Sequence, residues 1–357
     1  MHINPQLFML ARPPHLIIWN YKDHLQYELD HTHASRLLQL IEQPGSYDPR
    51  NTIDNDFVSA NILTTPRTPE TEWGWDELSK IFHIGTKNIP CAQVPNTVHE
   101  WSRQYLDHCH DVLATPAPLS TCRQPLESTL IALPPPDDTL EHSLLSTLLH
   151  RKTCRSFSGD GLSITDLGTL LYFSLGYLKE RDNEAACPEG LGARRSSPSG
   201  GGLNACEGFI YVRHGRGLAP GLYCYHSEQH ALSLVNPLPE DSLGQLLCGQ
   251  HFINDLPFGL FISARFEALW WKYPHSRAYR MAYVEAGHIS QTFQLIATAL
   301  GFNTWLTGAL MDDRVETLLG LQDSTEQVLF FVGCGPGDGR ALCKELQALV
   351  DGEGTQE

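Results

Sequence analysis

Between residues 278 and 300 the chain carries Ala282, Ala286, Ile289, Phe293, Ile296 and Leu300, apolar positions recurring by threes and fours. No proline interrupts them, and Gly301 is placed to end the run. The period predicts one helix of roughly 30 Å, about the width of a domain. Its apolar stripe must be buried. Strands expected at 209–212, 222–225, 258–263 and 328–332 supply β-structure in the same half of the chain. Helices are further expected over 140–150 and after Ser163-Ile164-Thr165-Asp166, where a capping spacing precedes Leu167, Leu170, Leu171 and Leu178.

With 357 residues, 41% of them hydrophobic, the chain has material for a sizeable core and is expected to form two domains. The first reads as a small unit, with strands near 15–19 and 25–29 and a helix over 34–41. A loop is expected over 44–55, then helices near 75–82 and 99–113. Proline is frequent from 114 to 138, ending in Leu133-Pro134-Pro135-Pro136, which predicts an extended connector. The expected division is therefore 1–138 and 139–350.

Forty-one acidic residues against 25 basic give a formal charge of -16, which repels a phosphate backbone and argues against a nucleic-acid partner. The opening Met1-His2-Ile3-Asn4-Pro5 lacks a basic start followed by an apolar run, and no segment reaches the roughly 20 apolar residues of a membrane span. Ten cysteines without a CxxC pair fit reduced thiols, and a cytoplasmic protein is expected. His108-Cys109-His110 reads as a solvated polar face and not a metal site, because adjacent residues point apart on a helix.

Three stretches carry candidate chemistry. Residues 151–157, Arg-Lys-Thr-Cys-Arg-Ser-Phe, set three cations and two hydroxyls after a helix; they suit a phosphate monoester, although a solvated basic helix end has the same composition. Residues 194–203, Arg-Arg-Ser-Ser-Pro-Ser-Gly-Gly-Gly-Leu, bring backbone amides close to a ligand or form a plain flexible loop; neither a Walker loop nor GxGxxG is present. The third is Trp270-Trp271-Lys272-Tyr273-Pro274-His275-Ser276-Arg277, just ahead of the long helix, where Lys272 and Tyr273 are proton-transfer candidates on a pocket wall.

These stretches resemble, in order, the motifs of the azole-forming (SagB-type) dehydrogenases, flavin enzymes of the nitroreductase superfamily. The resemblance covers roughly residues 75–340 and includes Phe82-His83-Ile84-Gly85-Thr86-Lys87, Pro220-Gly221-Leu222-Tyr223-Cys224-Tyr225, Glu285-Ala286-Gly287-His288 and Ala299-Leu300-Gly301-Phe302. It implies an α+β fold, a mostly antiparallel central sheet flanked by helices, in a homodimer with FMN at the interface. By similarity Arg151, Lys152, Thr153 and Arg155, with Arg340, hold the phosphate and ribityl chain. Pro198, Ser199, Gly200 and Gly201 reach the ring from the partner subunit, and Thr307 and Gly308 approach its N5 edge. Asn204-Ala205-Cys206 departs from the family pattern, which bears on the local pocket shape.

Lys272 and Tyr273 are the implied catalytic pair. Aromatising a thiazoline or oxazoline removes a proton from one ring carbon and a hydride from the next, so a base has to stand opposite the flavin. A lysine serving as that base must be held substantially neutral. The implied function is oxidation of such rings in a ribosomally made precursor peptide beside cyclodehydratase partners. The alternatives are a general NAD(P)H-dependent nitro or quinone reductase and a non-catalytic scaffold subunit. The N-terminal region resembles winged-helix-like leader-recognition modules that hold a peptide by strand addition; a cap on the dimer is the other reading.

Overall fold

The computed structural model describes residues 1–65, 73–88, 94–117, 130–137, 139–178, 193–322 and 324–351. The chain divides into two compact units, Met1–Ala92 and Gln93–Glu357. The division precedes the proline-rich segment, so helix Val98–Leu113 belongs to the larger unit. Residues 118–129 of the expected connector lie outside the described residues.

The smaller unit is an antiparallel meander of Leu7–Arg12, His15–Asn20 and Leu25–Leu29, followed by helices His31–Glu42 and Thr52–Ser59. The first strand was not expected, because Leu, Met and Ala carry helix propensity. Cross-strand pairing overrides it: Phe8 stands opposite Trp19 and Met9 opposite Ile18. The loop expected over 44–55 is corrected at its end. Asn51 Oδ1 accepts from the Ile53 and Asp54 N–H groups and starts a helix there. Asp54, fully buried, takes a two-pronged bond from Arg36, Nε to Oδ1 at 2.7 Å and Nη2 to Oδ2 at 2.6 Å.

The larger unit is built on a seven-stranded sheet with every pairing antiparallel. Its order is Asn303–Thr307, Glu326–Gly335, Phe258–Arg265, Cys206–Val212, Gly221–His226, Ala231–Asn236 and Ile131–Ala132. The two central strands are buried throughout. Side chains alternate between faces: Ile210, Val212, Leu260 and Ile262 join a core with helices Ile164–Leu175 and Tyr279–Ala299, while Phe209, Tyr211, Phe261 and Phe331 join a second core with Trp305 and Leu243. The long helix lies where its period predicts, burying Ala282, Ala286, Ile289, Phe293 and Ala297. The unforeseen strands Ala231–Asn236 and Asn303–Thr307 are edge or near-edge segments whose polar residues break a clean apolar run.

Pairing register sets two opposite sheet ends. Cys206 pairs with Ala264, and Arg265 with Glu326, at one end. Phe258 pairs with Cys334, and Asn303 with Gly335, at the other. Among the described residues no helix is long and apolar enough to cross a membrane.

Candidate active site

At the Cys334 end of the sheet, helix Leu144–His150 stops at Arg151 and the next residues run beside strand Asn303–Thr307. Buried Cys154 is the anchor: its N–H donates to the Thr304 carbonyl at 2.8 Å. The Arg155 N–H donates to the Arg340 carbonyl at 2.9 Å, and Arg155 Nη1 to the Ala341 carbonyl at 2.8 Å. Arg151 Nη1 donates to Gln294 Oε1 of the long helix at 3.3 Å, and Thr304 Oγ1 donates to the same oxygen. Arg151, Lys152, Thr153 and Arg155 are thus brought together, with the Arg340 backbone alongside. The Arg340 side chain turns to Asp338, Nε to Oδ2 at 3.2 Å. Among the described residues Arg151, Lys152 and Arg155 form no ion pair with a carboxylate, so three cations share one short loop uncompensated.

At the opposite end, the loop before strand Cys206–Val212 is docked on the long helix. Ser199 Oγ donates to Glu285 Oε2 at 2.6 Å and accepts from the Asn204 N–H at 2.8 Å. His288 Nδ1 donates to the Pro198 carbonyl at 3.1 Å, and the Ser197 and Thr292 hydroxyls pair at 2.7 Å. Glu285, His288 and Thr292 share a helix face by their spacing. Glu285 Oε1 also accepts from the Cys206 N–H at 3.0 Å, and Arg195 Nη1 donates to the Cys206 carbonyl at 2.6 Å. The loop is therefore fixed, and the plain flexible reading does not hold for it.

Lys272 closes helix Phe266–Lys272 and is 1% exposed. Its Nζ donates to the Gly201 carbonyl at 3.0 Å and lies 5.9 Å from the centroids of both Tyr105 and Tyr273. Gly201 has φ +64°, and a Cβ there would come within 2.3 Å of the Tyr273 hydroxyl and 3.0 Å of Lys272 Nζ. Only glycine admits both the backbone turn and the approach. Burial pushes the Tyr273 phenol above its usual range, against a phenolate base and in favour of a hydrogen-bond donor. Burial likewise lowers His275, whose Nδ1 is buried with no hydrogen-bond partner among the described residues.

A buried charge cluster, not foreseen as such, underlies this end. Glu207 stands 3.7 Å from Arg195 and 3.6 Å from Arg265, and the Ser263 hydroxyl bonds to Glu326. Burial raises the Glu207 carboxyl to about 7; Arg195 and Arg265 oppose that rise without cancelling it. Burial also pushes the Cys206 thiol well up, so it is no reactive nucleophile. The signal for this cluster was in the sequence: Arg195 and Glu285 belong to motifs already singled out, but the sequence does not show that they meet.

Helix Val98–Leu113 was also missed as a site element. His108 stacks over Tyr273 at 6.4 Å between centroids, and Cys109 is buried, so only His110 of this trio keeps the solvated placement expected. Among the described residues no group of three His, Cys, Asp or Glu could hold a metal ion. Thr307 and Gly308 stand apart from both clusters, at the end of the edge strand, where Gln250 Nε2 donates to Thr307 Oγ1 at 3.3 Å.

A sheet of this topology, a cation loop at one end and a glycine loop with a buried lysine at the other define the class. The nitroreductase family model matches residues 148–336, more than half of the chain, and the chain belongs to the nitroreductase family. It is 29% identical over 189 residues to a protein of Methanocaldococcus jannaschii named for the nitroreductases, covering 52% of this chain and 88% of that relative. It is 24% identical over 313 residues to the trifolitoxin operon protein TfxC of Rhizobium leguminosarum bv. trifolii, 86% of this chain and 83% of the relative. A crystal structure of an Anabaena variabilis protein, also named for the nitroreductases, shares the fold with a TM-score of 0.54 at 22% identity, over 76% of this chain and 49% of that one.

Proposed function

We propose that the protein is an FMN-dependent dehydrogenase that oxidises thiazoline or oxazoline rings to the aromatic azoles in a ribosomally made precursor peptide. The observation that carries this reading is the buried Lys272, pinned at Nζ to the Gly201 carbonyl beside the Tyr273 hydroxyl. A reductase fed by NAD(P)H has no need of a lysine placed in this way. The matches to a trifolitoxin operon protein over 86% of the chain and to a trifolitoxin-processing protein over 38% support a role in processing a product of that kind.

The residues fit FMN. The phosphate would lie among Arg151, Lys152, Thr153 and Arg155, whose charges have no carboxylate partner among the described residues. Gly339 borders this cradle, since a Cβ there would come 3.0 Å from Lys152 Nζ. Bound FMN supplies the hydride acceptor, with molecular oxygen as the terminal oxidant. Lys272 Nζ takes the proton from the neighbouring ring carbon, and the Tyr273 phenol donates a hydrogen bond to the substrate. Burial keeps competing water from the amine.

One observation supports a homodimer. The cation loop and the glycine loop both dock on the long helix, Arg151 at Gln294 and Ser197 at Thr292, so their placement alone does not call for a second copy. Helix Leu144–His150, packed against the long helix, exposes Leu144, Leu145, Leu148 and Leu149, an apolar face suited to an isologous interface. The N-terminal unit offers the edge strand Leu7–Arg12, with Met9 and Leu10 exposed, for strand addition by the precursor peptide.

The test is mass spectrometry of azoline peptides incubated with the FMN-loaded protein. Loss of two hydrogens per ring is expected, and none from Lys272→Met. Failure to convert several azoline peptides, together with rapid NAD(P)H oxidation by a nitroaromatic acceptor that Lys272→Met leaves intact, would overturn the reading.

A further inference from the structure

Three consecutive residues at the proposed base are each met by one residue of helix Val98–Leu113 or the turn after it. Trp271 Nε1 donates to Thr115 Oγ1 at 2.9 Å, Lys272 Nζ sits over the Tyr105 ring, and Tyr273 stacks on His108. These covering residues lie outside the residues matched by the family model, 148–336. Tyr105 is itself held in plane by Trp101, with centroids 5.3 Å apart and rings 9° from parallel. Its half-exposed ring presents a face to Lys272 on a helix that otherwise buries only Cys109 and Val112.

We propose that Tyr105, with the Tyr273 ring and the Gly201 carbonyl, forms a cage for the ammonium that Lys272 becomes when it takes a proton, making Tyr105 a positioning residue supplied from outside the family core. The proposal rests on Lys272 being the base. In that reaction the ring C–H proton bonds to the Nζ lone pair. The electron pair it leaves forms the new ring double bond as hydride departs the adjacent carbon for FMN. Positive charge thus appears at Nζ during the step. Two ring faces at 5.9 Å and one carbonyl oxygen at 3.0 Å are what meets it. The groups facing this nitrogen's surroundings are Tyr273, His275 and Arg277 on its own segment and Tyr105, His108 and Cys109 on the covering helix; among the described residues no carboxylate pairs with Lys272. The rings are therefore the stabilising groups at hand.

An alternative role for Tyr105 as a mere shield against water predicts no shift where apolar cover is kept, or a rise where water enters, which makes the test decisive. The experiment is an NMR titration of the 357-residue chain labelled in its seven lysines, with Lys272 assigned by the signal lost in Lys272→Met. Tyr105→Phe keeps the ring and leaves the Lys272 midpoint unchanged. Tyr105→Leu and Tyr105→Met keep apolar cover without the ring and lower the midpoint by about half a unit to one unit. The acidic limb of the kcat–pH profile, set by the base, should move with it. An unchanged midpoint in both, or a rise, which hydration of the ammonium would produce, overturns the cage. The titration needs no substrate, so the expected shift without any azoline turnover would retire the proposed reaction and leave the cage standing.

Discussion

The two ends of the sheet handle charge in opposite ways. At the 151–155 loop, cations stay partly exposed and are oriented through backbone bonds to Thr304, Arg340 and Ala341. At the other end two arginines and three carboxylates are buried in one cluster, and Lys272 is buried against the Gly201 carbonyl. An exposed guanidinium costs little to keep charged and can grip an anion reversibly; a buried amine has its protonation set by a few neighbours. The first arrangement suits anchoring and the second suits proton transfer.

The largest effect that separates the two ends is expected from Lys272→Met. Turnover of an azoline peptide should fall by roughly 10²–10⁴, while the flavin content of the purified protein stays at the wild-type level. Replacing Arg151 and Lys152 together by alanine should do the reverse, weakening FMN by about 10- to 100-fold through lost charge-assisted bonds. Equilibrium titration with FMN checks this, and turnover at saturating FMN should be near normal.

Glycine replacements sharpen the same contrast. Gly201→Ala forces a Cβ onto the Tyr273 hydroxyl at a left-handed backbone position, and a loss of about 1–3 kcal/mol by denaturant unfolding is expected, with reduced kcat. Gly339→Ala shares the left-handed backbone cost (φ +74°), but its closest neighbour is the flexible tip of Lys152, so it should cost less stability than Gly201→Ala and act also on FMN affinity.

The smallest effect concerns pH. The folded Glu207 carboxyl, raised to about 7, binds its proton more tightly than in the unfolded chain. Its contribution to stability is complete below the ordinary glutamate range near pH 4.5 and is lost as pH rises through about 7. Glu207→Gln should remove this slope. The wild-type advantage over the variant should shrink by roughly 1–3 kcal/mol between pH 5 and 8 in denaturant melts.

Much of this was legible in the sequence where the signal is local. The period of 278–300 located the long helix, and the four apolar runs located four of the seven strands, three of them buried along their whole length. The family motifs singled out residues 151–155, which share one loop, and Lys272, which is buried. Features that depend on long-range meeting were not legible. The strand Leu7–Arg12 is decided by its partner, and the Glu207 cluster gathers residues from 195 to 326. Tyr105 gave no motif and His108 was read as part of a solvated face, since their contacts come from a helix packed over a segment more than 160 residues later.

The measurement that tests the central claim most directly is an anaerobic single turnover, following visible flavin absorbance after FMN-loaded protein meets an azoline peptide. Bleaching in step with ring oxidation is expected for the wild type, and none for Lys272→Met carrying the same amount of FMN. Equal bleaching by both proteins would contradict the account, as would bleaching by NAD(P)H with none by any azoline peptide.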